Sequence, residues 1–112
     1  MTRRNLLHRW ADLPLEKITD MVARKTIAVG AMTLTQVYYK TGALIPLHTR
    51  ATDGALYVLQ GALRTTVDGD TVILREGEVC MLPGGAQYQA ESLDDTFVVA
   101  FSASSTIQAI DS

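Results

Sequence analysis

This chain is short of cysteine, of net charge and of long apolar runs, and each scarcity closes off a class of protein. The single thiol, Cys80, cannot form an internal disulfide, so the cysteine count gives no sign of secretion and a reducing cytoplasm is the expectation. No apolar run approaches the ~18 residues of a membrane span. Arg3-Arg4 could begin a signal peptide, yet only Leu6 and Leu7 follow before His8 and Arg9, so no apolar h-region exists and no membrane partner is expected. The formal charge of −2 supplies no basic stripe for a phosphate backbone, which argues against nucleic acid as a partner. What remains is a chain of 112 residues with 47% apolar and 20% charged residues. That is enough for one packed core and too little for two, so a single globular domain is expected.

Residues 1–12 form a basic arm carrying Leu6, Leu7 and the only tryptophan, Trp10. Leu13-Pro14 ends it, because the residue before proline is pushed towards extended conformations. Ile18, Met21, Val22, Ile27 and Val29 then sit among polar residues in two short stretches compatible with strands. From Met32 the alternation sharpens. Met32, Leu34, Gln36 and Tyr38 share one face, and Thr33, Thr35, Val37 and Tyr39 the other, before a turn at Lys40-Thr41-Gly42. Short strands follow at 44–49, 56–60, 62–67, 71–75, 78–82, 88–90 and 96–101, separated by Gly, Pro or Asp. Asp68-Gly69 between two alternating runs is a strong hairpin signal. Many short strands at close intervals predict an all-β sandwich or barrel over residues 13–104. The tail, 105–112, is small and polar apart from Ile107 and Ile110, and no internal repeat is present.

Two motifs lie on these strands. From Gly42 to Gly61 the spacing is G-x5-H-x-H-x3-E-x6-G, with His48 at the first histidine, Arg50 at the second and Gly54 at the glutamate. From Gly77 it is G-x5-P-x-G-x2-H-x3-N, with Pro83 and Gly85 kept, Tyr88 at the histidine and Ser92 at the asparagine. This skeleton resembles the two motifs of the cupins. The resemblance implies a single-domain jelly-roll β-barrel, a double-stranded β-helix, that forms a homodimer. In metal-binding cupins the two histidines, the acidic residue and the third histidine converge on one ion. Here one of those four ligands survives. Arginine is a permanent cation where an imidazole should donate a lone pair, glycine has no side chain, and tyrosine would have to ionise from ~10. The expectation is a barrel without metal or other cofactor.

Within that family the chain is most similar to short cupins related to pectin degradation, which convert unsaturated uronates to linear keto forms. Pro46-Leu47-His48, Tyr57-Val58-Leu59-x-Gly61 and Phe101-Ser102 carry the likeness. Those members have H-x-H-P-x-E-Q and a D-x-F-S-P-P-R ending, against which Gly54, Val99, Ala103 and Ser105 are departures. The likeness therefore implies scaffold and dimer, and not the reaction.

Residues at i and i+2 of a strand share a face, so positions 48 and 50 both aim into the barrel. His48 is a candidate ligand contact or general base, or a histidine hydrogen-bonded in the interior. Arg50, if inside, needs a counter-charge: Asp53 by an internal ion pair, or an anionic ligand such as a carboxylate or phosphate. Tyr88 is read as a wall residue offering its hydroxyl, with general acid as its catalytic alternative. Gln36 completes the expected ligand contacts. Cys80 reads as an inert core thiol, and Trp10 with Leu6 and Leu7 as packing on the barrel or across a dimer. The reading that follows is a cupin binding a small polar or anionic molecule. Its alternatives are a metal-independent isomerase or lyase on a sugar-acid-like substrate, with His48 as base and Tyr88 as acid, and a non-catalytic structural or interaction protein.

Overall fold

The computed structural model describes residues 6–103, so the first five residues of the arm and the whole of the tail 105–112 lie outside the described residues. After a single 3-10 turn, Trp10–Asp12, come ten strands: β1 Glu16–Thr19, β2 Val22–Val29, β3 Met32–Tyr39, β4 Leu44–Thr49, β5 Gly54–Gln60, β6 Ala62–Val67, β7 Asp70–Arg75, β8 Val79–Leu82, β9 Gln87–Ser92 and β10 Thr96–Ala103. They form a six-stranded sheet in the order β1-β2-β3-β10-β5-β8 and a four-stranded sheet in the order β4-β9-β6-β7, with every pairing antiparallel. This is a jelly roll whose two sheets face each other without closing into one ring. Among the described residues, no helix is long and apolar enough to cross a membrane.

The alternation of β3 decides what faces inward. Val37 and Tyr39 join a buried cluster with Leu56, Val58, Leu63, Leu74, Leu82, Tyr88, Ala90 and Val98, so the Thr33, Thr35, Val37, Tyr39 row is the inner one. Register carries that row across the sheet, because side chains of directly opposed residues lie on the same face. Thr33 faces Ser102 and Ala28, and Thr35 faces Ala100 and Thr26. The β6–β7 hairpin forms at the Asp-Gly signal: Asp68 and Gly69 both adopt positive φ, 49° and 86°, as a two-residue turn matched to strand twist requires.

One end of the barrel, the floor, is closed by multiply bonded turns. Ser92 Oγ donates to Lys40 O and accepts from Ala43 N. Thr96 Oγ1 accepts from Ala62 N at 3.2 Å and contacts Ala62 O at 3.0 Å. Asp95 Oδ1 takes the backbone N–H and the hydroxyl of Thr41 at 2.9 and 3.0 Å. Those two bonds hold the Asp95 carboxyl below its ordinary pKa. The other end, the mouth, is framed by the β4–β5 connection, the β6–β7 hairpin and the Pro83–Ala86 turn.

Several details differ from the sequence expectation. β9 spans Gln87–Ser92 and β10 Thr96–Ala103, both longer than the expected 88–90 and 96–101. β5 begins at Gly54, two residues early, because Gly54 and Ala55 pair with Leu82 and Met81 on one side and with Ser102 and Phe101 on the other. Tertiary pairing there outweighs the poor strand propensity of glycine. Leu6 and Leu7 are 82% and 65% exposed, so they do not pack on the barrel of their own chain. Trp10 is half-buried and its carbonyl accepts from Lys25 Nζ at 2.9 Å.

Candidate functional site

His48 reaches the mouth through a break in strand register. Ile45 pairs with Ala90 and His48 with Tyr88, so β4 takes three steps where β9 takes two. The extra residue is a β-bulge at Pro46-Leu47, where a proline costs no ladder hydrogen bond. The bulge turns His48 onto the inner row beside Tyr88, ring edge to face with centroids 5.5 Å apart. His48 Nδ1–H donates to Pro46 O at 2.9 Å, which leaves Nε2 as the free lone pair of the neutral ring. The imidazole is exposed at the rim.

Arg50 follows directly. Its backbone is clamped to the Pro83–Ala86 turn, with Arg50 N–H donating to Ala86 O and Gly85 N–H to Arg50 O, both at 2.8 Å. The side chain lies across the space in front of Gly54. A Cβ at position 54 would stand 2.6 Å from Arg50 Nη2 and 2.6 Å from the Phe101 carbonyl oxygen. Gly54 is thus needed for space, since both distances are far below a van der Waals contact. The room left by the absent glutamate side chain is filled by the guanidinium.

That guanidinium has little to hold it. Among the described residues its one hydrogen bond runs from Nη2 to Ser102 Oγ at 3.4 Å, and Nε is buried without a partner. The expected Arg50–Asp53 ion pair is not made. Asp53 Oδ1 instead accepts the Gly84 N–H at 2.7 Å, because capping that turn satisfies the carboxylate with a rigid backbone donor. The ion pairs among the described residues are Lys17–Asp20, Arg24–Glu16 and Arg64–Glu91, and none involves Arg50.

Tyr88 lies deeper, 4% exposed, and its hydroxyl is also buried without a partner. Burial drives its phenol far above the ordinary value; neighbouring Tyr39 and Cys80 add to this and the Arg50 charge partly offsets it. The group therefore stays protonated and presents a donor. Tyr39 is pushed up to about 12, also by burial. Cys80 is half-buried against the core, its thiol raised by desolvation, which keeps it in the unreactive form.

The fourth expected contact, Gln36, is not brought to this group. It sits on the outer row of β3, where its Oε1 accepts from Tyr38 Oη at 3.2 Å, and Tyr38 stacks on Phe97 with centroids 4.6 Å apart. The inner rows bring hydroxyls that the sequence reading left out: Ser102, Thr33, Thr35 and Thr26, the last two with Oγ1 atoms 3.4 Å apart. Alternation had put Thr33 and Thr35 on one face with Val37 and Tyr39, without saying which face is inside. Only pairing with β10 and β2 shows Ser102 and Thr26 beside them.

Could these residues hold a metal? The donor set does not fit. At the four ligand positions stand one imidazole, a fixed cation, a glycine whose side-chain space that cation fills, and a phenol held protonated. A divalent ion there would meet a positive charge and one lone pair.

The geometry agrees with comparison to known proteins. The family model described as cupin domain matches residues 35–103. No curated protein sequence matches. Among solved structures, an RmlC-like cupin from Shewanella frigidimarina superposes with TM-score 0.85 at 16% identity, covering 95% of this chain and 96% of that one. KdgF from Halomonas sp. gives 0.78 at 23% identity, covering 87% and 92%. The cupin domain of Schizosaccharomyces pombe Cnp3 gives 0.78 at 16%, covering 96% and 80%. At these identities the likeness to solved structures concerns the fold alone. With the family model spanning more than half of its length, from β3 to the end of β10, the chain belongs to the cupin family.

Proposed function

We propose that this protein is a metal-free cupin that binds a small polar or anionic molecule in its barrel mouth, with Arg50, Tyr88 and His48 as the polar contacts. One observation carries the reading. Arg50 Nε and the Tyr88 hydroxyl are buried without partners, and an orphaned buried donor costs on the order of 1–3 kcal/mol. Buried polar groups are otherwise almost always bonded. A ligand accepting from both donors recovers that cost, and His48 Nε2 and the threonine row offer further contacts at the rim. A proton-transfer role is less well supported, because a phenol held this far up donates a hydrogen bond more readily than a proton.

The test begins with elemental analysis of the purified protein, followed by thermal shift with divalent ions, small carboxylates, sugar acids and polyols. The expected result is no stoichiometric metal and stabilisation by a small molecule that Tyr88→Phe and Arg50→Ala weaken. Stoichiometric metal at the mouth overturns the metal-free reading. Indifference to every small molecule favours a structural or interaction protein.

A homodimer in the cytoplasm is the assembly proposed with it. Val29, Met32, Leu34, Tyr57, Val79 and Met81 are exposed on the outer face of the six-stranded sheet. Within the rows of β2, β3, β10, β5 and β8 that share this face, the one charge is Lys25, already bonded to Trp10 O. An apolar face this poor in charge suits self-association about a two-fold axis. Sedimentation of wild type and Met81→Glu tests it: the wild type is expected as a dimer and the variant as a monomer.

A further inference from the structure

We infer that the anion taken at the mouth is a monocarboxylate, gripped side-on by the Nε and Nη2 edge of Arg50 with Ser102 beside it, and that Gly54 is the residue that presents this edge. The inference rests on the barrel-binding reading above and narrows it to one ligand class.

Three observations carry it. The first is the orientation of the guanidinium. Nη2 is fixed against Gly54 and bonded to Ser102 Oγ at 3.4 Å, and Nε on the same edge has no partner. Nε–H and Nη2–H are parallel donors in a rigid plane, and two parallel donors match the two oxygens of a planar carboxylate. Position 54 selects the edge: any side chain there would meet Nη2 at its first carbon.

The second observation is the charge count. The other cation on an inner row, Arg24, is held by Glu16 at 2.6 Å. Arg50 is therefore the unpaired fixed cation of the inner face among the described residues, and it offsets one negative charge. A dianion such as phosphate or sulfate would bring a second charge with no fixed counter-ion into a half-buried site.

The third is the character of the remaining groups. The unpartnered Tyr88 hydroxyl is more than nine-tenths buried, and no carboxylate of the described residues is paired with Arg50. Arg50 and Tyr88 thus offer donors to an incoming acceptor, while Asp70, on the inner row opposite Val67, is exposed at the hairpin and not paired with Arg50. Outside them the inner rows carry Thr26, Thr33 and Thr35, which suit a hydroxylated or otherwise polar remainder of the ligand.

The experiment uses the full chain labelled with 15N and follows the Arg50 Nε–H resonance, assigned by its loss in Arg50→Lys, during titration with acetate, glycolate, phosphate, sulfate and glycerol. Acetate and glycolate are expected to shift that resonance saturably, with phosphate and sulfate at least about tenfold weaker. Arg50→Lys keeps the charge and loses the fork, so carboxylate affinity should fall about tenfold or more, read from backbone amide shifts. Ser102→Ala is expected to weaken binding less. Gly54→Ala should abolish the Nε–H response, and Ser102→Ala keeps the test usable where Gly54→Ala does not fold. Equal carboxylate binding by Arg50→Lys overturns the side-on grip, as does phosphate or sulfate binding as tightly as acetate, while the barrel-binding reading stands. Glycerol binding alone, lost in Tyr88→Phe, likewise sinks the carboxylate and leaves the barrel site. A folded wild type that responds to no probe overturns both.

Discussion

The floor and the mouth of the barrel are built from the same ten strands, and their polar groups are treated in opposite ways. At the floor, Ser92 and Thr96 each make two or more hydrogen bonds to fixed backbone groups, and Asp95 accepts from both the backbone N–H and the hydroxyl of Thr41. At the mouth, Arg50 has one long hydrogen bond and a bare Nε, and the Tyr88 hydroxyl has none. The motif positions divide the same way. Gly42, Gly61 and Ser92 serve the floor, and Ser92 links two strands with a hydroxyl where the family motif has an asparagine. Positions 50, 54 and 88, all replaced, lie at the mouth. Satisfied polar groups rigidify a structure, whereas unsatisfied ones mark a place where something else can bind.

Four variants sharpen or break this contrast. The largest effect is expected next to the floor, where Leu63, opposite Ser92, is completely buried among the core residues. Leu63→Ala should cost about 2–5 kcal/mol in chemical denaturation, and a value near zero would mean the barrel is not packed below the mouth. Next is Gly54→Ala, which meets a backbone carbonyl as well as Arg50. A loss of about 1–3 kcal/mol is expected from such overpacking. Arg50→Ala in the same chain should recover only part of it, because Phe101 O remains.

Tyr88→Phe is expected to carry the opposite sign. Removing a buried hydroxyl with no partner should leave ligand-free stability unchanged or raise it by up to about 1 kcal/mol, while ligand binding falls. A clear loss of stability would show that the hydroxyl is satisfied in solution. The smallest effect belongs to Asp95 at the floor. Its folded pKa lies below the unfolded value of ~3.9, so its contribution is present above that value and is lost as pH falls through the lowered folded pKa. Asp95→Asn should flatten the acid limb of the stability–pH curve below about pH 4, measured by denaturation at stepped pH, and leave the neutral region nearly unchanged.

Much of the fold was legible in the chain because strand alternation and turn residues are local signals. The Asp68-Gly69 hairpin formed where alternating runs meet, and β3 runs from Met32 to Tyr39 as its alternation indicated. The site was legible only in part. Positions 48, 50 and 88 converge as spacing required, with a bulge at Pro46-Leu47 that no local pattern announced. Gln36 went astray because alternation gives two faces without saying which is inside, and it is buried on the outer one. Asp53 was near Arg50 in sequence yet bonded to Gly84, since a turn amide 31 residues away was better placed.

Sequence by itself determined a β-rich chain, the approximate places of most strands and turns, and motif positions at which one of the four usual metal ligands survives. Those follow from side-chain chemistry, backbone preference and period-two alternation, all of which act over a few residues. Only the tertiary structure decided that Arg50 fills the space before Gly54, that Ser102 stands beside it with Thr33 opposite Ser102 in register, and that Asp53 does not pair with it. Those depend on which strands lie side by side and on the few ångströms between them, distances set by the packing of the whole barrel.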